Sequence, residues 1–101
     1  MEVRVRVPTA LRDLCAGRST LAVNLEEVGE VGEGAATVDD LLDAIGAVHP
    51  ALERRIRDEQ GVLRTHVNLF VGEDNVRSLA GGRTELRTGD EVSILAAISG
   101  G

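Results

Sequence analysis

The sequence predicts an α+β domain: a mixed sheet of four to five strands with one main helix packed on one face. Three observations lead there. Val3, Val5 and Val7, and again Leu21, Val23 and Leu25, alternate with other residues at the period of a half-buried strand. A capped apolar run at helical spacing follows from Thr37 to Val48. Two more alternating runs, 66–71 and 91–96, complete an order of strands, helix, strands. One helix covers one face of such a sheet and leaves the other for solvent or a partner.

Taken in order, Glu2 to Val7 forms the first strand, and Pro8 ends it by removing a backbone donor. Leu11 to Cys15 forms a short helical turn, with Gly17 as breaker. Leu21 to Leu25 is the hairpin partner of the first strand. Residues 26–36, acidic and rich in glycine, form an exposed loop. Thr37 is an N-cap with Asp40 three residues on, the spacing of a capping box. Val38, Leu41, Leu42, Ile45 and Val48 then mark the buried side of the helix. His49-Pro50 interrupts it, because a residue before proline avoids the α region. Pro50 opens a second short helix with Leu52 and Ile56 inward. His66 to Val71 is a strand, with Val67, Leu69 and Val71 on one face and Asn68 and Phe70 on the other. Gly72 to Asn75 is a turn, Val76 to Leu79 a short strand, and Glu91 to Ala96 the last strand.

A chain of 101 residues fits one domain. Phe70 is its only aromatic residue, so the core is built from aliphatic side chains at high density. The net charge of −6, without a basic stripe, argues against nucleic acid and for a basic groove on a protein partner. No apolar run approaches the roughly 20 residues that span a bilayer. The N-terminal alternation is unlike a signal peptide, so no membrane association and a cytoplasmic location are expected. Cys15 is the only cysteine and, between apolar neighbours, is expected to be a buried hydrophobe. His49 is expected to be a local cap or surface residue, and His66 a packed or hydrogen-bonded one. Asp39 and Asp40 suit a helix N-terminus better than an acid/base couple. No catalytic constellation, metal ligand set or bound cofactor is expected.

The chemistry lies in the last residues. At average glycine usage of about 7%, a chain ends in Gly-Gly by chance about 0.5% of the time. Here Gly100-Gly101 follows a strand and Ala97-Ile-Ser99. Glycines without Cβ atoms can thread a narrow channel. The terminal carboxylate, with a pKa near ~3.5, is ionised and inert until activated, and adenylation by ATP is the usual route.

Four stretches carry a resemblance to the MoaD/ThiS family of ubiquitin-like sulfur carriers. They are Thr37-Val-Asp-Asp-Leu-Leu42, His66-Val-Asn-Leu-Phe-Val71 with Glu73-Asp-Asn-Val-Arg77, Gly89-Asp-Glu-Val-Ser-Ile-Leu95, and Ser99-Gly-Gly101. The resemblance implies a β-grasp domain over residues 1–96 and a flexible tail over 97–101. It implies a carrier, not an enzyme, whose Gly101 is adenylated by an E1-like adenylyltransferase/sulfurtransferase using ATP. Gly101 then becomes a thiocarboxylate that passes sulfur to a downstream sulfur-accepting enzyme. Ser99 and Gly100 belong to the tail, and Phe70, Leu95 and Ile98 form the expected partner patch.

The segment from His66 to Arg77 is most similar to carriers that serve cysteine biosynthesis. His49-Pro-Ala-Leu-Glu53 resembles archaeal modifier proteins that double as sulfur carriers. Ala96 stands where many relatives have proline. The free chain is expected to be monomeric. Alternatives are the small subunit of molybdopterin synthase, a modifier joined to lysines, and a plain β-grasp interaction module. All eleven basic residues are arginine. Codon usage accounts for this; protection of an activated tail from attack by lysine amines is the functional alternative. Arg57, Arg83 and Arg87 are expected on the surface.

Overall fold

The computed structural model describes residues 1–25 and 35–96. The strands are β1 (Glu2–Arg6), β2 (Thr20–Asn24), β3 (Val67–Val71), β4 (Asp74–Asn75) and β5 (Glu91–Ala96); the helices are α1 (Val38–Val48) and α2 (Pro50–Ile56). The sheet has five strands in the order β2-β1-β5-β3-β4. β1 pairs antiparallel with β2 and parallel with β5, while β3 runs antiparallel to both β5 and β4. The first and last strands therefore lie side by side in the middle, the arrangement of a β-grasp.

Alternation decides the faces. Val3, Val5, Val67, Leu69, Val92 and Ile94 are buried, in one core with Leu41, Ile45, Leu52 and Ile56 from the two helices. The core is aliphatic, as the composition requires. Glu2, Arg4 and Arg6 point the other way and are exposed.

α1 begins as expected. The Thr37 amide donates to Asp40 Oδ2 (2.9 Å), and the Asp40 amide donates to Thr37 Oγ1 (3.3 Å). These two bonds satisfy donors that the first helical turn leaves open. The segment before β5 ties this entrance down: Val38 N–H donates to the Thr84 carbonyl (3.0 Å) and Leu86 N–H to that of Ala36 (2.8 Å). Pro50 occupies the first turn of α2, whose Leu52 and Ile56 are fully buried. The turn at Thr9–Cys15 is a 3-10 helix, stopped at Ala16, which adopts a left-handed φ of 59°.

Several expectations are corrected. Val48 keeps the helical spacing but is 71% exposed, because α1 ends there and no described residues form a layer over its last turn. Residues Val76–Ser78 form a 3-10 turn and not a strand; the Asn75 side chain accepts from the Arg77 amide and curls the chain. The turn cluster at 72–75 contains the two-residue strand β4. His66 lies just before β3 and is exposed. Ala36 is buried, so the loop ends sooner than expected; residues 26–34 lie outside the described residues. Arg57 is buried at 9% exposure.

Candidate functional site

The sheet face away from the helices carries the expected partner patch. Asn68 sits opposite Leu95, and Phe70 opposite Ser93. Phe70 and Leu95 are thus diagonal neighbours on adjacent strands, about 7–8 Å apart between Cα positions in such a ladder and within reach of each other's side chains. Leu95 is 53% exposed and Phe70 half-buried. Both project from the face opposite Val67, Leu69, Val92 and Ile94, as the alternation predicts.

Polar groups frame these two side chains. On one side Arg6 approaches Glu91 at 3.5 Å, a surface pair of small energetic weight. On the other, Asn68 Oδ1 accepts from Asn75 Nδ2 (3.3 Å) and from Arg77 Nε (3.2 Å). Arg77 also donates to the carbonyls of Arg64 (2.8 Å) and Val67 (2.9 Å). It therefore fixes the start of β3 beside the patch. Sequence reasoning did not give Arg77 this role, since nothing local in the sequence shows that it folds back ten residues onto Val67. An apolar spot ringed by ordered polar groups has the anatomy of a small protein-docking surface.

The last described residue, Ala96, stands opposite Val67 at the end of β5. Ile98, Ser99, Gly100 and Gly101 lie outside the described residues, as does the expected tail over 97–101. Covalent geometry bounds their reach: Gly101 is six residues beyond Leu95 (101 − 95 = 6), so its Cα lies no more than roughly 22 Å from that of Leu95.

Away from this face, Cys15 and Arg57 have structural partners. Cys15 is fully buried, and its Sγ donates to the Arg18 carbonyl at 3.4 Å, as expected of a packed thiol. His49 links the two helices and is half-buried. Among the described residues no three His, Cys, Asp or Glu side chains cluster as a metal site. Arg57, placed on the surface by sequence reasoning, instead joins α2 to α1. Its Nε donates to Glu53 Oε2 at 2.8 Å, its Nη2 donates to Asp43, and its Nη1 lies 3.8 Å from Asp39. Burial opposes the Arg57 charge, but the bonds to Asp43 and Glu53 and their negative charges outweigh it and raise its pKa. The spacing of Glu53 and Arg57, one helical turn apart, was the available signal.

Fold and site together define a ubiquitin-like domain: a β-grasp with an open, partly apolar sheet face and the C-terminal strand β5 in the middle of the sheet. The ThiS family matches residues 17–101, and the chain belongs to that family of ubiquitin-like sulfur carriers. It is 31% identical over 103 aligned positions to the sulfur carrier protein CysO of Mycobacterium tuberculosis, covering 100% of both chains. It is 36% identical over 86 positions to small archaeal modifier protein 1 of Haloferax volcanii, covering 85% of this chain and 86% of that protein. CysO in the Amycolatopsis orientalis BexX/CysO complex superposes with a TM-score of 0.77 at 30% identity, covering 98% of this chain and 99% of that one. The protein is a sulfur carrier that other enzymes use, not an enzyme itself. Among the described residues no helix is long and apolar enough to cross a membrane.

Proposed function

We propose that the sulfur is carried as a thiocarboxylate on Gly101. The observation that carries this reading is the family match, which runs through residue 101 and so includes Ser99-Gly100-Gly101. A carboxylate oxygen of Gly101 attacks the α-phosphorus of ATP in the active site of an E1-like adenylyltransferase, and pyrophosphate leaves. Hydrosulfide from a sulfide donor then attacks the acyl carbon, AMP departs, and the attacking sulfur loses its proton to leave the thiocarboxylate. The thiocarboxylate passes its sulfur to a biosynthetic enzyme that makes cysteine, a thiosugar or a similar product. Full-length identity to CysO supports the cysteine branch. Phe70 and Leu95, with Ile98, supply the docking contact that brings Gly101 to the partner's nucleotide. ATP is the partner's substrate and the carrier itself binds no cofactor. The carrier works in the cytoplasm and is monomeric when free.

A second reading has support from the 36% identity to an archaeal modifier: the same activated tail is joined to a lysine of another protein.

Intact-mass spectrometry tests the proposal. Incubated with its adenylyltransferase, ATP and a sulfur donor, the chain gains the mass that replaces one oxygen by sulfur. A variant lacking Gly100 and Gly101 gains none. An unchanged gain in that variant overturns the assignment, and amide-linked conjugates in place of the gain favour the modifier reading.

A further inference from the structure

The net charge of −6 points to a basic partner, but the fold divides that charge unevenly. Between Val38 and Gln60 the two helices and the turn after them carry six acidic residues (Asp39, Asp40, Asp43, Glu53, Asp58 and Glu59) against three arginines. The open sheet face has the opposite balance. Alternation puts Glu2, Arg4 and Arg6 of β1 on it, beside Glu91 of β5, and Arg77 lies at its β3 edge. Among the described residues these are three arginines against two glutamates. Two of the arginines flank the apolar spot. Arg6 stands in the row of Ser93 and Phe70, and Arg77 beside Asn68 in the row of Leu95.

Arg77 is held ready. β4 pairs only with Phe70 and Val71, and the bond from Gly72 N–H to the Glu91 carbonyl (2.9 Å) sets which pairs of the β3–β5 ladder are bonded. By alternation Asn68 bonds to Leu95, so the backbone of Val67 points away from β5. The Arg77 guanidinium takes the place of a neighbouring strand there. Its Nη2 donates to the carbonyls of Arg64 and Val67, and its Nε to Asn68 Oδ1. A guanidinium has five N–H groups; these bonds use three and leave both of Nη1. All three acceptors are neutral. Among the described residues no carboxylate pairs with Arg77, although the residue is exposed. An arginine fixed in this way loses little side-chain freedom when a carboxylate meets it. Arg6 is held only by Glu91 at 3.5 Å, with 68% of its side chain in solvent, and is free to face a second carboxylate.

We propose that this face docks on an acidic surface of the adenylating partner. An apolar pocket of the partner takes Phe70 and Leu95, a carboxylate beside it accepts from Arg77 Nη1, and a second faces Arg6. The inference rests on the reading that the Phe70–Leu95 face meets that enzyme, and adds the sign of the charge the enzyme presents there. The helices pack on the other side of the sheet, so their acidic groups stay out of the contact.

Titration calorimetry tests it, with the full chain and its purified adenylyltransferase, without ATP, at low and at high salt. Association weakens as salt rises. Arg77→Gln lowers affinity at least tenfold and flattens that dependence. Asn68→Asp keeps an acceptor for Arg77 Nε but neutralises the guanidinium from within the chain. It also lowers affinity at least tenfold, with the melting curve of the parent. Arg6→Gln lowers affinity severalfold. Asp58→Asn and Glu59→Gln, on the helical side, leave it within twofold. The proposal is overturned if Arg77→Gln and Asn68→Asp bind like the parent, or more tightly, as a basic partner surface requires. If Arg77→Gln unfolds the chain, Asn68→Asp decides. Leu95→Asn separates two failures. Affinity lost there but kept in the Arg77 and Asn68 variants overturns the acidic surface alone; affinity kept in all three overturns the docking face with it. Capture of Arg77 by the chain's own terminal carboxylate also overturns the proposal, and is seen as a shift of the Arg77 Nε–H resonance of the free chain when Gly100 and Gly101 are deleted.

Discussion

Arg57 and Glu53 face each other one turn apart on α2, at 2.8 Å, and through Arg57 the carboxylates of Asp43 and Asp39 on α1 are drawn to the same guanidinium. The side chains of Arg57 and Glu53 are only 10% and 16% exposed, while those of Asp43 and Asp39 are largely in solvent. Solvent therefore screens the two aspartates more than it screens Glu53.

Removing the cation leaves Glu53 half-buried without a partner. Arg57→Met is expected to cost about 2 kcal/mol, the range for stranding one member of a partly buried pair. In a domain of this size that lowers the midpoint of thermal unfolding by about 10 °C, as circular dichroism will show. Because the pKa of Arg57 is raised in the fold, its contribution is complete below the ordinary arginine range and is lost only as pH climbs through it. The stability gap between parent and variant is therefore expected to stay constant from neutral to mildly alkaline pH.

Leu95 and Phe70 separate binding from folding. Leu95→Asp places a charge at a half-exposed site and is expected to leave the unfolding midpoint within a few degrees. It should weaken association with the adenylyltransferase at least tenfold. Phe70→Ala removes a half-buried ring and is expected to cost about 1 kcal/mol of stability as well as affinity. Calorimetric titration beside a melting curve distinguishes the two effects. Unchanged affinity in both variants places docking elsewhere.

At the entrance to α1, Thr37→Ala deletes the hydroxyl that accepts from Asp40 N–H. Loss of such a cap costs about 1 kcal/mol. Hydrogen exchange is expected to accelerate first at Asp39 and Asp40, ahead of Ile45.

The absence of lysine can be tested at Arg83 and Arg87, which are exposed; Arg57 is unsuitable because it is buried. With adenylyltransferase and ATP but no sulfur donor, Arg83→Lys and Arg87→Lys are expected to yield self-linked amide products that the parent does not form. Equal adduct levels by gel and mass analysis leave codon usage as the whole explanation.

Much of the fold was legible because its signals are local. Alternation around Val3, Val5 and Leu21, Val23 places two strands on the core, and Thr37 with Asp40 marks a helix start that the hydrogen bonds reproduce. The errors came where tertiary contacts decide. Val48 fits the helical period, but the period does not say where the covering layer stops. Arg57 reads as surface until α2 folds back on the aspartates of α1. Val76 to Ser78 has strand-like residues, yet one Asn75 side chain curls it. The faces of Phe70 and Leu95 followed from parity alone, whereas their framing by Arg77 depends on contacts distant in sequence. Ile98, Ser99, Gly100 and Gly101 were legible only as chemistry.

β5 is held on both sides, by β1 through Arg4–Arg6 and by β3 along Val67–Val71. A pull on Ala96 along the strand loads both ladders in shear, so many bonds resist together and none can open singly like a zip. Force applied at Ala96 is thus shared by two ladders at once, one on each side of the strand.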